Sequence, residues 1–166
     1  SKEIRESWLT HRNLLKKKIW VGLNERMNGL GKKAENFSQR FSNVIQELKD
    51  QNKDTESLED GLERLNSDAN LLKEAHEAIR EKYQEANTRE EIEALNEDSK
   101  ELLKAMNELM KKDFKLMATL FRAANELKNG EISEETFEKL AEQIGEAAEK
   151  YVELQIALDE FKAGDA

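Results

Sequence analysis

Two histidines, His11 and His76, are the whole imidazole supply of this 166-residue chain, and cysteine is absent. Thiolate metal sites, cysteine nucleophiles and disulfide frameworks are thereby excluded. A ferritin-like di-iron centre takes Glu-x-x-His from two helices, but Glu74-Ala75-His76 has the wrong spacing and His11 has no glutamate three residues before it. His76 falls on an apolar stripe, and registers drawn from the sequence set it beside Ser99 and Gly31. A haem or other small ligand could use a histidine facing glycines, so His76, Gly31 and Ser99 form a candidate pocket. The simpler expectation is a boundary histidine bonded to Ser99 or Glu35, with glycine allowing close helix approach.

The 36 Asp and Glu residues recur in pairs such as Glu134/Glu138 and Glu142/Glu146, as any solvated Glu-rich helix requires. Asp113 alone falls on a core stripe, opposite Leu62. Burial there would raise its pKa and demand a partner, so the stripe is expected to shift to Phe114 and Met117 and leave Asp113 at the edge. Phosphate loops, nucleophile elbows and EF-hand loops are missing from the sequence. No catalytic, metal or cofactor site is expected, and an enzyme is not.

The strongest functional signal is the N-terminal segment. Residues 1–33 carry nine Lys/Arg against three Glu, a charge of +6, while the whole chain is at −9, leaving −15 for the rest. As a helix, residues 2–20 put Ile4, Trp8, Leu15 and Ile19 on one side and group Lys16, Lys17 and Lys18 near Trp20. Basic amphipathic helices with tryptophan suit acidic protein grooves and anionic membrane surfaces. Glu3, Glu6 and the short apolar run favour a protein partner or self-association over a membrane. The acidic balance argues against nucleic acid, and nothing singles out a small-molecule partner. Trp20-Val21-Gly22 resembles the W-x-G motif of small secreted helical hairpins of bacteria; there the motif turns a short hairpin, whereas this chain continues through further helices, so no function is carried over.

The elements that position these residues are helices. The chain has no proline, where average usage of roughly 5% predicts about eight, and apolar residues recur three and four apart almost without interruption. The spacing predicts helices over 23–50, 55–87, 88–128 and 133–163, preceded by a separate basic segment, 1–21, broken off near Gly22. Asp54 or Thr55, Thr88 with Glu91, and Ser133 are expected to cap, and Asn129-Gly130 to stop the third helix. Pairing across the turns sets Tyr83 against Ile92, Leu72 against Leu103, Leu58 against Met117, and Phe121 against Leu140. The expected fold is all-α, a single domain over 1–166: an antiparallel up-down-up-down four-helix bundle of long, unequal, staggered helices, with a fifth segment at the N-terminus.

Staggered ends expose apolar surface. The hairpin tip, 77–98, is expected to lack a fourth partner unless residues 2–21 fold back over it. The opposite end is expected to leave Met117, Leu120, Phe121, Ala124, Phe137 and Leu140 partly uncovered. Contiguous apolar patches of this kind mark interaction sites. The sequence therefore reads as a non-enzymatic interaction or assembly module acting through Trp8, Lys16, Lys17, Lys18, Trp20, Phe121 and Phe137. Its regular heptads and caps also suit an artificial bundle without a natural function, and its architecture is like that of extracytoplasmic ligand-sensing four-helix domains. The compartment is left open.

Overall fold

The computed structural model describes residues 1–164, and the side chains of all these except residues 19–31, 33 and 34. It is all-α. The helices are α1 (Lys2–Asp50), α2 (Glu56–Glu85), α3 (Arg89–Lys128) and α4 (Glu134–Ala163), and among the described residues there is no strand. The sequence-level caps hold these boundaries. Asp54 accepts from the Glu56 amide at 3.2 Å, Thr88 from Glu91, and Ser133 from Thr136. Glu91 in turn accepts from the Asn87 amide. Gly130, with φ at +141°, makes the turn after α3.

The break expected near Gly22 does not occur: α1 is one helix of 49 residues, and the basic segment is its first part. The glycines there cost helix propensity, on the order of 1 kcal/mol each, but no proline interrupts the backbone ladder. As numbers rise along α1 they fall along α2, through Lys17 to Ala86, Ser38 to Asn66 and Lys49 to Glu59. α1 packs on α2 and α3, and α4 also packs on α2 and α3.

Two apolar cores result. One joins Phe41, Ile45 and Leu48 of α1 to Leu58, Leu62 and Leu65 of α2, to Leu116 and Leu120 of α3, and to Leu140 of α4. The other joins Leu71, Ala75, Ile79 and Tyr83 of α2 to Ile92, Leu102, Met106 and Leu109 of α3 and to Leu154, Leu158 and Phe161 of α4. Met106 is buried and Met110 and Met117 half-buried, as packing residues; Met27 lies outside the described side chains.

The α2–α3 register differs from the sequence-based one. Tyr83 reaches Asn96, Gly61 lies against Leu120 and Asp68 against Asp113. The linker explains the slide. Ala86 (ψ 126°) and Thr88 (ψ 159°) are extended. Extended residues climb roughly 3.3 Å each against 1.5 Å in a helix, so a three-residue linker carries the chain about 10 Å past α2, about six helical residues. At Gly61 the helices come so close that an added Cβ would sit 2.9 Å from the Leu120 side chain. This slide covers surface expected to be open. Leu120, Ala124 and Leu140 are buried and Met117 is half-buried, while Phe121 and Phe137 are exposed.

Candidate functional site

The N-terminal part of α1 holds the candidate binding residues. Ser1 caps it, accepting from the Ile4 amide. Lys17 then fixes it to the end of α2: its Nζ donates to the carbonyls of Gln84 at 2.8 Å and Ala86 at 2.6 Å. Those carbonyls carry the negative end of the α2 dipole, so an ammonium is the fitting donor. Residues 2–16 therefore pass the end of α2, over a length on the order of 22 Å. We call them the arm.

The arm has two faces. Toward the protein, Asn13 is buried and Leu9, Thr10 and Lys17 are half-buried. On the other side Ile4 is 72% exposed, Trp8 59% and Leu15 47%. With His11 these recur three and four apart and form one outward stripe. Arg5, Arg12 and Lys16 line one flank of it by helix geometry, and the Arg12 guanidinium lies 5.4 Å from the Trp8 ring centroid. Lys16 and Lys18 are exposed. Lys17 is not a free binding charge, as the sequence suggested, but an anchor. Trp20 lies outside the described side chains. Lys17→Met is expected to cost about 1 kcal/mol and to speed amide exchange over residues 9–16. Exchange measured by mass spectrometry checks it, and an unchanged arm would mean that other contacts hold it.

Phe121 and Phe137 are both exposed, and only Phe121 borders a groove. Phe121 borders a groove of about 480 Å³ between α1 and α3, with Phe37, Phe41 and Val44 on its walls and Arg40 and Lys128 at its rim. The Phe37 and Phe121 rings meet edge to face at 5.0 Å, and Phe41 and Phe121 lie at 6.0 Å. Phe137 stands in the first turn of α4 and does not line this groove. The sequence reading singled out Phe121 but did not join it to Phe37 and Phe41.

Of the candidate histidine pocket, the structure describes the His76 and Ser99 side chains. His76 is buried with no hydrogen-bond partner for Nδ1, and burial depresses its pKa to about 4. Ser99 instead donates to the Asn96 carbonyl and interacts with Tyr83. Gly31 lies outside the described side chains. His76 lines neither described cavity, and Ser99 makes no hydrogen bond to it.

A carboxyl pair that the sequence reading missed sits between the two cores. Asp113 is half-buried, as an edge position requires, but it does not face Leu62: the slid register brings it beside Asp68. Two carboxylates have no donor between them, so a pair this close favours a proton on one. Asp68 is fully buried, and Arg64 Nη1 lies 3.8 Å from its Oδ1. The Arg64 guanidinium in turn stacks 5.4 Å from the Tyr151 ring centroid on α4. Burial, then the neighbouring Asp68 carboxyl, push the Asp113 carboxyl up to about 10. Burial raises Asp68 too, against the pull of Asp113 and Arg64. Neither aspartate lines a described cavity, so the pair has the placement of an internal polar layer.

Among the described residues no group of His, Asp and Glu is arranged to hold a metal ion, and no helix is long and apolar enough to cross a membrane. Comparison with known proteins gives no match: no family model fits the sequence, and no curated protein or solved structure is similar to it.

Proposed function

We propose that the protein is a non-enzymatic interaction module: an antiparallel up-down-up-down arrangement of four long helices that presents the arm of α1 to a protein partner. One observation carries this reading. Ile4, Trp8 and Leu15 form an apolar stripe on the outward face of a helix whose inner face buries Asn13 and is fixed by Lys17. Scattered surface apolar residues need no explanation, but a tryptophan-centred stripe with flanking cations has the make-up of a binding hot spot. A preordered helix also loses little conformational entropy on docking.

A photo-crosslinking side chain in place of Trp8 tests the reading in cells that express the protein. Covalent adducts to protein are expected at position 8 and not at the exposed control position Lys104. If position 8 gives no more adduct than Lys104, the arm does not bind protein and the reading fails.

A further inference from the structure

Resting on that reading, we infer that the arm's partner is a second copy of this chain, and that it docks on the outer face of α4. Val152 and Ile156 are both about half exposed on that face, at 52% and 54%. Helix geometry places Gly145 on the same line and Glu142, Glu149 and Glu160 along one flank. These three glutamates have no ion-pair partner among the described residues, whereas Glu135, Glu146 and Glu153 on the same helix do. Arg5 and Lys16 on the arm are likewise without an ion-pair partner among the described residues. An apolar stripe flanked by free cations thus exists in the same chain as one flanked by free carboxylates.

The dimensions agree as well. Ile4 to Leu15 and Gly145 to Ile156 are equal stretches of helix, each on the order of 16 Å. Gly145 has no role inside the chain: it is exposed, and a Cβ there would meet nothing within 4 Å. Mid-helix glycine costs on the order of 1 kcal/mol relative to alanine, and a helix crossing close to α4 accounts for it. The Phe37/Phe121 groove is the competing dock, but its rim cations Arg40 and Lys128 would face the arm's own. Like charges there oppose docking.

A single chain cannot make the contact with itself, because the arm is one continuous helix with the part of α1 that packs on α2. Arm and α4 face are different surfaces, so the contact is heterologous and repeats head to tail unless the rotation closes.

Sedimentation equilibrium on the full chain tests this. The weight-average mass of the wild type is expected to rise with concentration above that of one chain. The triple variant Arg5→Glu, Arg12→Glu, Lys16→Glu reverses the arm, and Glu142→Lys, Glu149→Lys, Glu160→Lys reverses the α4 flank. All six positions are exposed, and circular dichroism verifies that each variant keeps its helices. Each variant alone is expected to associate about tenfold more weakly or less still, and their equimolar mixture to recover wild-type association. A wild type that sediments as one chain at every concentration overturns the inference, as does an α4-reversed variant that associates like the wild type. Either result, with protein adducts still forming at position 8, leaves the interaction reading standing and removes only the second copy.

Discussion

Replacing Asp113 by asparagine is expected to stabilise the protein by about 4 kcal/mol at pH 7 and by almost nothing at pH 4. In the folded chain the Asp113 carboxyl keeps its proton up to about pH 10, because it is buried against Asp68. In the unfolded chain it ionises near 3.8. Between those values the folded state binds one proton more than the unfolded state. Its contribution is complete below the unfolded pKa and is lost as pH rises toward the folded one, at about 1.4 kcal/mol per unit. Asparagine binds no proton in either state, so this slope disappears. Its amide donates permanently to Asp68, whose charge Arg64 still balances at 3.8 Å. Urea unfolding from pH 4 to 9 checks the result, with an unchanged m-value as the sign that the same surface is exposed. A gain that is equal at pH 4 and pH 8, or a loss at every pH, would mean that no proton is shared.

This pair also shows where the sequence stopped being legible. Helical periodicity located α2, α3 and α4 to within about two residues, and Thr88, Ser133 and Gly130 marked ends for which local chemistry suffices. The register of α2 on α3 depends on backbone angles in a three-residue linker, and no composition rule supplies those. Heptad-like repeats make several registers look apolar at once, so Leu58 opposite Met117 was as acceptable a pairing as Gly61 against Leu120. The discriminating signal was present in Asp68 and Asp113, two acids near core stripes that one register leaves apart and another pairs. Pairing two acids is costly, and sequence reasoning set Asp113 at the edge for that reason. The arm was legible as a basic amphipathic helix, but the anchoring role of Lys17 was not, because it depends on where α2 ends in space. Gly22, a propensity cost small enough for a long helix to absorb, looked like a break for want of that same information.

His76 sets the acid limb of stability as Asp113 sets the alkaline one, and His76→Leu is expected to gain about 2 kcal/mol at pH 4.5 beyond whatever it changes at pH 8. Burial holds the folded imidazole at a pKa of about 4, against 6.5 unfolded. The unfolded state therefore takes up a proton first as pH falls, and stability is lost between pH 6.5 and 4, by about 3 kcal/mol in full. Leucine binds no proton, is close in size, and relieves an imidazole whose Nδ1 has no partner. Over this window the two groups act in opposite senses with one proton each. The wild type should be nearly flat from pH 4 to 6.5 and fall above it. With His76→Leu the remaining Asp113 slope is uncovered, and stability should decline steadily from pH 4 upward. With Asp113→Asn the His76 slope is uncovered, and stability should rise to pH 6.5 and then level. Combining both substitutions should return a flat profile at a higher level, since each removes its own proton and the side chains share no hydrogen bond. A His76→Leu profile that runs parallel to the wild type would show that the imidazole titrates as it does in water, and that its burial imposes no acid limit on the fold.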